Sequence, residues 1–306
     1  MIFVLTGVCK IDPNVGVNLI PLIYVIKHCR NCDPLFLKSG AASSVIVSQL
    51  VREPDTKMGK GSPTPEQLSQ QDFQSLYTAD KYVCTLDPAV LKVAKKELRE
   101  DEKTRDQALE QMRQWIMKTA YIKDCRLDAN FLLRFLRNKK FSVPMAQETL
   151  LKYIAMRQQH STWFHNTGLN DPLVLDLVHR GVAFALPKRD QYGRRVLFTV
   201  GGNIDPELHT SESVMKAIMI VFESLLEDEE NQIRGFSHLL DESGITVSHL
   251  VLWNPSEISR LIGTCEKAMP MRHKRLDFVS LPNWLTYILD FAKSLMSEKL
   301  RGRIRI

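Results

Sequence analysis

Cysteine is scarce: six residues in 306, at positions 9, 29, 32, 84, 125 and 265. Spread this thinly they build no disulfide framework, and they read as free thiols of a reducing compartment. Cys29 and Cys32, preceded by His28, have the spacing of half a zinc site, but no second CxxC or HxxxH follows, so no metal is expected. Long apolar runs are lacking too. The opening "MIFVLTGVCK" has no basic n-region, and "VGVNLIPLIYVI" (15–26) is too short for a hydrocarbon core about 30 Å thick, so neither reads as a signal or an anchor. Catalytic signatures are missing: there is no GxSxG, no HExxH and no GxGxxG after a strand. In "SHLLDESGITVSH" (237–249) His238 falls in a strand and His249 in the segment after it, an order that builds no nucleophile and base, so both read as structural or surface histidines. The acidic run "EDEEN" (227–231) lacks the alternating ligands and central glycine of a calcium loop and reads as a solvated helix end. The expectation is a protein that is not an enzyme and carries no cofactor.

What is present suits a globular chain: 44% apolar and 25% charged residues, with a net charge of +6. The charge is uneven. Between Glu266 and Ile306 nine Lys or Arg stand against four Asp or Glu, which points to an anionic partner: nucleic acid, phospholipid or acidic protein. Residues 1–57 read as a weakly structured extension or the product of an upstream start codon. "MGKGSPTPEQLSQQ" (58–71) follows as a polar linker, and its GKGS does not make a phosphate loop, so residues 1–80 are set apart as extension and linker.

From Asp87 to Tyr121 strong helix formers interleave opposite charges at three- and four-residue spacing, which predicts a solvated helix pair. A second helical block carries Phe131, Leu132, Phe135 and Leu136 as one stripe and Leu150, Leu151 and Ile154 as another, broken near Pro144. Residues 81–165 thus form a small all-α domain.

At Gly181 the period changes. "GVAFALPKRDQYGRRVLFTV" places two β-rich runs around a turn with Asp190 and Gly193, a hairpin. Helix (211–226), strand ("GFSHLLD"), helix (255–268), strand ("LDFVSL"), helix (283–295) and a last strand in "GRIRI" follow; Asn254 and Pro255 supply a cap and first-turn residue for the middle helix. The alternation predicts an α/β architecture over 166–306, a mainly parallel sheet with crossover helices. So short a closing strand leaves its sheet unfinished, and the reading expects a C-terminal closing segment to be missing.

The stretch "LPNWLTYILDFAKSLMSEKL" is amphipathic. Trp284, Leu285, Ile288, Leu289, Ala292, Leu295 and Met296 form one face, widened by Tyr287 and Phe291, opposite Thr286, Asp290, Lys293, Ser294 and Ser297. A core-facing helix is one reading. The other is a helix resting on an anionic membrane, because "MRHKR" (271–275) and "EKLRGR" (298–303) frame it with cations, each contributing roughly 1 kcal/mol near such a surface. Single-stranded nucleic acid fits less well, since the aromatics sit on the apolar face of a helix and not on a basic sheet.

Four segments in this order, "DANFLLRFLRNKKFSVPMAQETLLKY", "FALPKRDQYGRRVLF", "NQIRGFSHLLDESGIT" and "LDFVSLPNWLTYILDFAKSLMSEKLRGRI", resemble the CRAL-TRIO lipid-binding family in its animal retinaldehyde-binding, α-tocopherol-transfer and clavesin-like branch. The resemblance runs from about Asp87 to the end. It implies a sheet whose floor and gate helix enclose one hydrophobic ligand of retinoid, tocopherol or phospholipid type, with Trp284, Leu285, Ile288, Leu289, Ala292 and Leu295 in the pocket and gate. It also implies a basic cleft for phosphatidylinositol bisphosphate at Arg272, Lys274, Lys299 and Arg303; a fifth basic position of that pattern is Glu148 here. The function it implies is non-enzymatic lipid transfer by a cytoplasmic monomer that visits endosomal or Golgi-type membranes, the alternative being a lipid-sensing regulator or scaffold.

Overall fold

The computed structural model describes residues 82–122, 125–164 and 171–306. The N-terminal extension, the 58–71 linker and the Cys29/Cys32 pair lie outside the described residues. Cys84, Cys125 and Cys265 are free thiols.

Four helices of the first half start on an aspartate cap. Asp87 opens α1 (Pro88–Val93), which runs on into a π-helical turn (Ala94–Leu98), and Asp101 opens α2 (Glu102–Lys118). Asp128 accepts from the Phe131 amide at 3.0 Å to start α3 (Ala129–Asn138). Pro144 sits in the first turn of α4 (Val143–Gln159), where its missing N–H leaves no helical bond unmade. Short α5 (Ser161–Phe164) and α6 (Pro172–His179), capped by Asp171, lead to the sheet.

The sheet has five strands in sequential order: β1 (Ala183–Ala185), β2 (Arg195–Val200), β3 (Phe236–Asp241), β4 (His273–Val279) and β5 (Ile304–Arg305). Only β1/β2 is antiparallel, the predicted hairpin; β2 to β5 run parallel. Their crossovers are α7 (Ser211–Leu226) with α8 (Glu229–Arg234), then α9 (Pro255–Ile262), extended by a π-helical turn (Gly263–Ala268), then α10 (Leu285–Leu295) with α11 (Glu298–Arg301). The predicted cap holds: Asn254 Oδ1 accepts from the Glu257 amide at 3.0 Å.

One hydrophobic cluster joins the two halves. Phe131, Phe135 and Leu150 of the helices meet Leu197 and Phe236 of the sheet and Met215 and Met219 of α7. The acidic run after α7, expected to be a solvated helix end, is instead drawn into this junction. Glu227 takes hydrogen bonds from Arg134 (2.5 Å) and Arg126 (2.9 Å), and Glu229 from Arg137 (2.8 Å). Arg134 and Arg137 are fully buried and each is held by two acids, Glu223 with Glu227 and Glu100 with Glu229, so neither cation is left without a countercharge in the junction.

Strand β4 begins three residues before the predicted "LDFVSL" and is bulged. His273 pairs with Phe236 and Arg275 with Ser237, leaving Lys274 as an extra residue. Gly235, at φ +81°, lets β3 start beside this bulge; a Cβ there would meet the Arg272 carbonyl at 2.5 Å.

Candidate ligand cavity and cationic cleft

A cavity of about 300 Å³ lies between the sheet and α7, α9 and α10, at the lower end of the range for small-molecule sites. Its floor is the face of β3 bearing His238 and Leu240, continued by Glu242 just past the strand, with Thr199 of β2 and Leu276 and Phe278 of β4. Ile218 and Phe222 of α7 and Leu261 and Ile262 of α9 form two walls. The third wall is α10 and its entry: Trp284, Leu285, Ile288, Leu289 and Ala292, followed by Met296 and Leu300. Five of the six predicted pocket residues therefore line the cavity. Leu295 does not; it packs against Ile258, Ile262, Met296 and Leu300 at the edge of the stripe. Tyr287 and Phe291 depart from expectation more plainly, being 79% and 38% exposed while Leu289 is 6% exposed. At 3.6 residues per turn they lie roughly 200° and 240° around the helix from Leu285, and so face outward.

Polar groups are few inside. His249 is satisfied by the Ile204 carbonyl (3.0 Å) and the Thr246 amide (3.1 Å). His238 Nε2 lies 2.9 Å from His273 Nδ1, and His273 Nε2 lies 2.9 Å from the Cys265 carbonyl. Burial holds both imidazoles below their ordinary range, His238 furthest, with the facing His273 adding to the effect there. The Glu242 carboxyl is pushed up to about 7, first by burial and then by the adjacent Asp241. A second cleft, between α5, the start of α7 and α9, is lined mainly by polar groups such as Gln159, Glu212 and Arg260 and offers a lipid little apolar surface. Among the described residues no cluster of three or more His, Cys, Asp or Glu is placed to hold a metal, and no helix is long and apolar enough to cross a membrane.

The four predicted cleft cations gather at the N-terminal end of β4 and around α11. Glu97 Oε2, brought over β4 by the π-helical turn after α1, accepts from Arg272 at 2.8 Å and from Lys274 at 2.7 Å. Arg272 also donates to the Ile233 carbonyl, and Arg303 to the His273 carbonyl. The Lys299 ammonium is held below the usual lysine range by desolvation and then by Arg303, Lys140 and Arg272. Lys139 is lowered by desolvation, Lys152 and Lys299; Arg303 by desolvation and Arg194. Lys139, Lys140 and Arg194 thus extend the cluster, and the adjacent lysines of "NKKF" were its only sequence signal. Among the described residues neither Lys299 nor Arg303 has an acid within ion-pair distance, whereas Glu148 is turned to Lys152 (2.6 Å).

Cavity and cleft share β4. The bulge at Lys274 puts His273 on the same face as Leu276, three residues on, which an unbroken strand would place on opposite faces. His273 therefore looks into the cavity while Arg272 and Lys274 reach Glu97.

The family model described as "CRAL/TRIO domain" matches residues 179–306, and one described as "Pinta-like, UBA domain" matches residues 101–174. Over 219 residues the chain is 30% identical to Clavesin-1 of Xenopus laevis, covering 72% of this chain and 66% of that protein. It is equally 30% identical over 219 residues to Clavesin-2 of Homo sapiens, covering 72% of this chain and 67% of that protein. The chain spans about two thirds of the length of these curated relatives. Among solved structures, that of Sfh5 superposes on 67% of this chain and 81% of its own at a TM-score of 0.46 and 14% identity. The chain belongs to the CRAL-TRIO family, in the branch that holds the clavesins.

Proposed function

We propose that the chain binds one hydrophobic ligand, of retinoid, tocopherol or phospholipid type, and carries it between membranes without altering it chemically. Docking is through Arg272, Lys274, Lys299 and Arg303 on membranes bearing phosphatidylinositol bisphosphate, of endosomal or Golgi type, and α10 is the gate. The observation that carries this reading is adjacency: the helix that walls the cavity ends at Leu295, and Lys299 of the cation cluster follows four residues later.

Burying each methylene of a ligand is worth about 0.8 kcal/mol, so a long-chain lipid does not leave for water at a useful rate. Release requires an apolar acceptor. Charge brings the cleft to the bilayer, and the bilayer then stabilises a displaced α10 whose inner face would otherwise meet water.

Reversal of the two cations without acidic partners, Lys299→Glu with Arg303→Glu, tests the cleft. Binding to vesicles containing phosphatidylinositol bisphosphate is expected to fall at least about tenfold, with a shallower salt dependence, while ligand content is unchanged. Unchanged vesicle binding rejects the assignment. Tight ligand retention with no transfer between vesicles would point instead to a lipid sensor or scaffold.

A further inference from the structure

Resting on the cavity as the ligand site, we propose that it selects a neutral, elongated lipid carrying a hydroxyl group, whose O–H is received by Nδ1 of His238 on the cavity floor. The argument is one of proton placement. The Cys265 carbonyl can only accept, so His273 Nε2, 2.9 Å away, carries a hydrogen. A neutral imidazole carries one, which leaves His273 Nδ1 an acceptor. That atom lies 2.9 Å from His238 Nε2, which must then be the donor, so the lone pair of His238 falls on Nδ1.

Both rings are buried and held in the neutral form, and Arg303 beside His273 works against a proton there as well. His238 lines the cavity edge-on to Phe222, and among the described residues no group donates to its Nδ1. An acceptor on the cavity lining with no partner among the described residues favours a ligand that supplies a donor. Ethers, esters and aldehydes supply none.

Charge narrows the class further. No Lys or Arg lines the cavity, and two acids do: Glu242, just past β3 and beside Asp241, and Glu266. A carboxylate ligand would be buried beside acids with no countercharge, so fatty acids and other anionic lipids are excluded from the interior. Glu242 lies four residues from His238, one residue past β3 and about 13 Å along the chain, and among the described residues no hydrogen bond or ion pair engages its carboxyl, which can meet a second neutral polar group. The bulge at Lys274 is what brings His273 into this relay. The selective element therefore belongs to residues of this chain and not to the apolar lining in general.

The test uses the full chain with 1,6-diphenylhexatriene as a fluorescent apolar probe of the cavity, competed by hexadecanol, hexadecyl methyl ether and hexadecanoate at pH 7.5. The alcohol is expected to displace the probe at least about tenfold more effectively than the ether or the acid, the worth of one buried hydrogen bond. His238→Leu should abolish the preference for alcohol over ether while the probe still binds. His238→Gln, which keeps a donor for His273 and an acceptor for the ligand, should restore part of it. Equal competition by alcohol and ether in the unaltered chain overturns the proposal, as does a preference that survives His238→Leu. Failure of the unaltered chain to bind the probe at all overturns the cavity reading itself. Should His238→Leu not fold, the ratio in the unaltered chain and the His238→Gln result decide.

Discussion

Two of the four cleft cations already hold an anion, and it comes from the chain itself: a phosphate reaching Arg272 and Lys274 has to displace the Glu97 carboxylate at 2.8 and 2.7 Å. Burial acts to raise the Glu97 carboxyl, but hydrogen bonds from Lys274 and Arg272 outweigh it and hold the group below the usual carboxylate range. Its contribution to stability is therefore complete above that range and is lost as pH falls through the depressed value, so at neutral pH the competitor is permanently charged. Glu97→Gln keeps the shape and removes the charge. Vesicles containing phosphatidylinositol bisphosphate are expected to bind the variant up to about fivefold more tightly in a sedimentation assay, because a pair this exposed is worth no more than about 1 kcal/mol. Tighter binding should come with a small loss of stability in denaturant. Unaltered affinity would mean that phosphate reaches only Lys299 and Arg303.

Strand β4 serves both sites, and its behaviour as an element depends on Gly235. With φ at +81° and the Arg272 carbonyl 2.5 Å from where a Cβ would stand, Gly235→Ala has to shift the bulge or distort the start of β3. A loss of about 2–3 kcal/mol in denaturant unfolding is expected, with ligand binding and vesicle binding falling together, since His273 and Lys274 move as one. Loss of one alone would break the link through β4. This is also the element where sequence and structure part. The hairpin around Asp190 and Gly193, the Asn254 cap and the alternation of strands with helices were legible because each rests on local periodicity or turn chemistry. The apolar stripe of α10 was legible for the same reason, apart from Tyr287 and Phe291, which a strict 100° step turns outward. The bulge has no local signature, and it reverses the parity by which strand residues are assigned to faces; hence His273 looked like part of a basic flank. Glu97 was beyond reach for another reason. It meets Lys274 across 177 residues of chain, a contact that no spacing rule encodes.

At the scale of the whole molecule, the proposed function gives docking and release to adjoining parts, and variants should separate them. Helix α10 is fastened at both ends: the Ser297 amide donates to Glu266 Oε2 at 3.1 Å after it, and Ser280, in a left-handed conformation at φ +55°, turns the chain from β4 before it. Within α10 only Leu289 is buried, with Met296 buried just after it, so the helix covers the cavity with Tyr287 and Phe291 outward. Displacing it exposes Leu285, Ile288, Leu289 and Ala292, a state that water opposes and a bilayer favours. Ile288→Asp with Leu289→Asp makes the inner face polar, so the displaced helix no longer gains by entering lipid. Ligand transfer between vesicles is expected to fall at least about tenfold while charge-driven binding to anionic vesicles remains within about twofold, whereas Lys299→Glu with Arg303→Glu lowers that binding itself. Far-ultraviolet circular dichroism separates a failed gate from a failed fold. Transfer at the unaltered rate would remove α10 from the gating role, whatever the cleft is found to bind.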